Sequence, residues 1–144
     1  MMRPRSDDGS ILPLTACFGA LALVLVLLVT AATSLYLERK RLFSLADAAA
    51  VSAAESFALA EVQLTAEGPR PVLWDAEVRS AALDILGRMP VDGFEALRLT
   101  EATTPDGRSA SITLTSRWRP PVVTLFLPEG IPIEVTSVAR SVFG

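Results

Sequence analysis

No charged residue occurs between Asp8 and Glu38. At ~1.5 Å per residue, a helix over residues 11–37 reaches roughly 40 Å, more than the ~30 Å hydrocarbon core of a bilayer. One membrane crossing, with some tilt or overhang, is therefore expected. What remains of the 144-residue chain is enough for only one small domain.

The rest of the composition narrows the chemistry. The chain is 51% hydrophobic and carries a net charge of −3. Arginines of the C-terminal part such as Arg79, Arg88, Arg98, Arg108 and Arg119 are scattered among carboxylates, so nothing resembles the basic stripe that nucleic acid requires. The single cysteine, Cys17, lies inside the apolar run, where it acts as a small hydrophobe and has no partner for an intramolecular disulfide. Histidine is absent, which removes the commonest general base and the commonest transition-metal ligand. The close carboxylates, Asp75 with Glu77 and Asp84, and Asp92 with Glu95, are explained by a helix start and a loop surface. No catalytic residue, cofactor or metal site is assigned from the sequence, and the chain reads as a non-enzyme.

The apolar run admits two kinds of processing. A secretory signal would use Arg3 and Arg5 as its basic start and the small residues around Thr30 to Ser34 as a cleavage site, but the run is too long for a usual h-region and continues unbroken through Leu37. Retention is the expectation. Prepilin-type cleavage between Gly9 and Ser10 is the other candidate; the fifth residue after Gly9 is Leu14, not the glutamate typical of pilins. Arg3 and Arg5 before the run face Arg39, Lys40 and Arg41 after it, so charge counting leaves orientation open. Tyr36 suits an interfacial aromatic, and Pro13 is tolerated in a first turn.

Beyond the basic cluster the chain is rich in Ala, Leu and Glu without Gly or Pro until Gly68, which predicts that the helix continues out of the membrane to about residue 65. Ala46, Ala50, Ala54 and Ala58 recur every four residues as a small-residue ridge, beside a stripe of Leu42, Leu45, Ala49, Ala53, Phe57 and Leu64. Such a ridge permits close approach of a partner helix, or packing against the chain's own domain. Gly68, Pro69 and Pro71 then break the helix.

A second helix is expected from Trp74-Asp75, capped by Asp75, burying Val78, Ala81, Ala82, Ile85, Leu86 and Met89 and ending at Gly87 and Pro90. Three strands follow. Leu97 and Leu99 alternate with polar neighbours, Thr104-Pro105-Asp106-Gly107 is a turn, Ala110, Ile112, Leu114 and Trp118 line one face of the second strand, and Ile133, Val135 and Ala139 line one face of the third. The fold class is α+β: a long N-terminal transmembrane helix running into a small domain with a second helix and a three-stranded antiparallel sheet. The expected division is an N-terminal segment 1–10, the span 11–37, its continuation 38–66 and the domain 67–144.

Between the second and third strands, Val122, Val123, Leu125, Phe126 and Leu127 lie between prolines. Two readings stand side by side: a loop folded back to fill the core, or an exposed apolar tip that touches a bilayer or a neighbouring subunit.

Asp8-Gly9-Ser10, the long apolar run, the stretch from Ser34 to Leu42 with its Tyr-Leu-basic sequence, and Leu45-Ala46-Asp47-Ala48-Ala49-Ala50 together resemble the N-terminal region of TadE/TadG-type proteins of Tad (Flp-type) pilus assembly. Residues 116–143 resemble, more loosely, the end of TadE-like proteins. The resemblance implies a single-pass component of the bacterial cytoplasmic (inner) membrane, N-terminus inside and C-terminal domain outside, acting as a pilin-like minor component or assembly factor of a pilus or related secretion system. It implies the lipid bilayer and other Tad or secretion-system membrane subunits as partners, with homo- or hetero-oligomers formed through the helix and no nucleic acid. Ala46, Ala50, Ala54, Ala58 and the apolar loop are the candidate contact surfaces. The alternative is a membrane-tethered extracytoplasmic binding or sensor module unconnected to pili.

Overall fold

A helix that carries only one glycine, Gly19, and confines proline to its first turn can run unusually far, and α1 spans Ile11–Ala54, 44 residues. The computed structural model describes residues 11–56, 63–65, 68–70 and 72–140. At ~1.5 Å per residue α1 is about 66 Å long. Its two halves differ in surroundings. In the first, Leu12, Phe18, Leu25 and their neighbours are exposed all round. In the second, Leu42, Leu45, Ala46, Ala49, Ala50, Ala53 and Ala54 form one buried face at three-four spacing. Thr15, Thr30 and Thr33 each donate their hydroxyl to the carbonyl four residues back, at 2.8–2.9 Å, so these hydroxyls are satisfied without water.

The expected helical continuation to residue 65 does not form. The Ser56 N–H and hydroxyl both turn back to the Ala53 carbonyl, at 3.2 and 2.7 Å, closing the last turn after Ala54. Serine does this because its side chain competes with the helical ladder for backbone partners. Further on, β1 (Gln63–Thr65) pairs antiparallel with β2 (Gly68–Arg70) in place of a helical exit.

The second helix, α2 (Asp75–Arg88), forms where the apolar spacing placed it, with Val78 and Ala82 fully buried and Ala81, Ile85, Leu86 and Met89 packed against the same core. Asp75 is not its cap. Trp74 occupies that position without a side-chain bond, and Asp75 Oδ1 instead accepts the Thr104 N–H at 2.7 Å. Asp75 and Glu77 in the first turn still complement the helix dipole.

The sheet has the order β3 (Glu95–Thr103), β4 (Ser109–Trp118), β5 (Ile131–Arg140), antiparallel throughout. The alternation expected on β4 and β5 holds: Ala110, Ile112, Leu114, Ser116 and Trp118, and Ile133, Val135 and Ser137, face inward. On β3, register shifts between Glu95 and Arg98 and between Leu99 and Glu101 interrupt the pattern, which ends with Ala102 buried. One face of the sheet is covered by α1 and α2. The other is polar, with threonine pairs across the strands: Thr100 with Thr115 at 3.1 Å and Thr113 with Thr136 at 2.9 Å. The mixed α+β architecture is as expected, but residues 42–54 belong to its core. The second half of α1 is a structural element of the domain as well as the continuation of the apolar first half.

Candidate interaction surface

The connection between β4 and β5, residues 119–130, is held shut at its neck. Arg117 donates to the Glu129 carbonyl at 3.2 Å, Arg119 donates to the Pro128 carbonyl at 2.9 Å, and Arg119 also reaches Glu95 Oε2 at 3.0 Å. That ion pair is half exposed, so its value lies in geometry more than in energy. Gly130, at φ 72°, lets the returning chain close: a Cβ there would collide with Arg119 Cγ and meet the Trp118 carbonyl oxygen at 2.7 Å.

Inside the neck a short 3-10 helix, Val123–Leu125, gives the loop its own hydrogen bonds. Thr124 N–H donates to Pro120 O at 3.0 Å, Leu127 N–H to Val123 O at 2.8 Å and Gly130 N–H to Leu127 O at 3.0 Å. The Thr124 hydroxyl donates to Pro121 O at 2.9 Å. A loop satisfied in this way holds its side chains in place rather than trailing them.

The apolar segment is divided between core and surface. Val123 packs against the core, as a folded-back loop requires. Val122 and Leu127 form a half-open rim, and Leu125 and Phe126 stand in the open at 79% and 82% exposure. Among the described residues, these two side chains, held outward on a hydrogen-bonded loop, are the most exposed large apolar residues of the domain's surface.

The alanine ridge has the opposite fate. Ala46, Ala50 and Ala54 are 0–1% exposed under the sheet and α2, so they are not a surface for a partner helix. Their small size lets the chain's own sheet and second helix approach α1 closely. Ala58, Gly9 and Ser10 lie outside the described residues.

Two hydrogen bonds lock α1 to the sheet: Trp118 Nε1–H donates to the Ser34 hydroxyl at 3.2 Å, and the Ser137 hydroxyl donates to Asp47 Oδ1 at 2.9 Å. Sequence reasoning placed Trp118 on the inner face but had no signal for Ser34 as its partner. At the opposite end of the sheet the Asp106 carboxylate accepts the N–H groups of Arg108 and Ser109 at 2.9 and 2.6 Å, which holds its pKa below the ordinary carboxylate value. Among the described residues no cluster of three or more His, Cys, Asp or Glu could hold a metal ion. A shallow groove beside the loop neck is lined by Glu95, Arg98, Arg117, Arg119 and Glu129; Arg119 pairs with Glu95 there, and Arg117 donates to the Glu129 backbone carbonyl.

An exposed apolar half and a domain-bound half on one helix are what a segment matched as a unit has to explain. Residues 9–56 match the family model described as "Putative Flp pilus-assembly TadE/G-like". This segment is TadE/G-like. It contains the whole of α1, both the bare apolar half and the half that packs under the sheet. The TadE/G-like segment covers about one third of the chain, and α2 and the sheet lie outside it. No curated protein and no solved structure matches the chain.

Proposed function

We propose that this chain is a single-pass, membrane-anchored component of a Tad/Flp-type pilus or related secretion machine, a pilin-like minor subunit or assembly factor, working through contacts rather than catalysis. The observation that carries this reading is the coincidence of the TadE/G-like match with α1, a helix long and apolar enough to cross a membrane. The exposed leucines, valines and phenylalanine between Ile11 and Val29 call for a hydrocarbon environment, and the self-satisfied threonine hydroxyls suit one. The bilayer in question is the bacterial cytoplasmic membrane, with the N-terminus inside and the sheet domain outside.

Deleting the chain from its own cell should abolish or reduce surface pili or the exported product of the machine. Full-length protein should restore them, and protein lacking residues 11–37 should not. Unaltered assembly in the deletion overturns the reading. Mass spectrometry of the mature N-terminus divides its two forms, because a start at Ser10 marks a processed pilin-like subunit and a start at Met1 or Met2 marks a fixed anchor. Digestion of the domain by protease added outside the cytoplasmic membrane is the expected result for orientation.

A further inference from the structure

The two hydrogen bonds between helix and sheet act as rungs that set the level of the apolar loop along α1. Ser137 sits opposite Ile112 in the β4–β5 register, so the Ser137–Asp47 bond places Ile112 near the level of Asp47, and the Trp118–Ser34 bond places the end of β4 near Ser34. From Ile112 to Trp118 an extended strand covers about 20 Å at ~3.3 Å per residue. From Asp47 to Ser34 the helix also covers about 20 Å at ~1.5 Å per residue. The two distances agree, so β4 runs alongside α1 in the reverse direction, back toward the charge-free run.

The chain leaving Trp118 therefore emerges at the membrane end of the domain. Ser34, Glu38, Trp118, Pro120 and Pro121 line one small cleft there, and Ala31 and Leu35 on α1 pack against the domain core. A hydrocarbon layer of ~30 Å takes up roughly 20 helical residues, so a span that begins at Ile11 ends near Thr30. The domain thus reaches down α1 to the edge of the hydrocarbon. Tyr36 is exposed just above that edge, and exposed Arg39, Lys40 and Arg41 follow at the level of lipid headgroups.

We propose that Leu125 and Phe126 insert into the interfacial region of the same bilayer that α1 crosses, so that the domain is held to lipid at two points. This rests on the membrane-anchored reading above. The loop suits the task because its backbone is internally hydrogen-bonded and its neck is clamped, so little ordering is needed when its two apolar side chains leave water. A second lipid contact fixes the rotation and tilt of the domain about α1. The threonine-rich face of the sheet, turned away from α1, is then presented in one orientation to neighbouring subunits.

The test uses full-length protein in vesicles of phosphatidylethanolamine and phosphatidylglycerol, in a Cys17→Ser background. An environment-sensitive nitrobenzoxadiazole label is placed singly through Phe126→Cys, through Pro105→Cys at the far turn, and through Leu23→Cys within the span. The expected result is blue-shifted emission at 126 with quenching by lipids nitroxide-labelled near the headgroup, water-like emission at 105, and quenching at 23 by lipids labelled deep in the chain. Quenching at 23 with water-like emission at 126 overturns the loop insertion and leaves the anchor standing. Blue-shifted emission at 126 without lipid quenching also overturns it, since another protein surface then covers the loop. A label at 23 that lipid does not quench overturns both readings.

Discussion

The indole N–H of Trp118 donates to the Ser34 hydroxyl at 3.2 Å, joining residues 84 positions apart. This bond ties the last inward-facing position of β4 to the upper end of the charge-free run, while the body of the indole, 7% exposed, closes the core beneath it. Trp118→Phe keeps most of the packing and removes the donor. It should lower stability by about 1 kcal/mol, the net value of one such bond together with slightly poorer filling. Trp118→Ala should cost about 3–5 kcal/mol by opening a cavity. Denaturant unfolding in detergent, followed by Trp74 or by circular dichroism, separates the two.

Ala50 tests whether the alanine ridge serves the fold or a partner. Ala50 is fully buried, so Ala50→Leu forces extra methyl and methylene groups into a filled space and should destabilise the domain by about 1–3 kcal/mol. The expected outcome is a lower unfolding midpoint and faster proteolysis of the domain, with membrane insertion intact. Val51→Leu, at a position 43% exposed, should leave both unchanged.

Gly130 governs the loop neck. Gly130→Ala adds a methyl group against Arg119 Cγ and the Trp118 carbonyl at a backbone φ of 72°, so both sterics and conformation oppose it. A cost of about 1–2 kcal/mol is expected from the left-handed conformation alone. The change should show as earlier proteolytic nicking within residues 119–130 than in the parent protein.

Asp106 predicts an acid-dependent contribution at the far turn. Its carboxylate receives the backbone N–H groups of Arg108 and then Ser109, so its folded pKa lies below the ordinary 3.8. A lowered folded pKa means that the stabilisation is fully present above the unfolded value and is lost as pH falls through the folded one. Asp106→Asn should therefore flatten the fall in stability below about pH 4, a window set by the ordinary carboxylate value. Unfolding midpoints measured from pH 6 down to pH 2.5 for both proteins check this.

Much of the fold was legible because its signals are local and periodic. Apolar residues at three-four spacing marked α2, and strict alternation on β4 and β5 marked strands with the correct inward faces. The β3–β4 turn followed from Thr104-Pro105-Asp106-Gly107, whose aspartate bonds its own neighbours. The end of α1 and the role of Asp75 were not legible. A run without Gly or Pro predicts more helix by propensity, but Ser56 closes the turn and β1 pairs with β2. Asp75 looks like a cap from its position, yet its carboxylate is taken by Thr104, which only the folded chain brings near.

The candidate surface divides in the same way. A run of large apolar residues between prolines announces that something unusual follows Trp118, but packing alone decides that Val123 turns inward while Leu125 and Phe126 remain outside. A four-residue alanine period is the same whether the helix meets another protein or its own sheet, because periodicity encodes a face and not what covers it. By itself, the sequence determined the helix long and apolar enough to cross a membrane, the α+β class and the inward faces of the strands, since each depends on residue type and spacing along a short stretch. Only the tertiary structure decided which face of α1 is core and which residues of the loop stay exposed. Those outcomes depend on Ser34 meeting Trp118 and Asp47 meeting Ser137, contacts that no local pattern specifies.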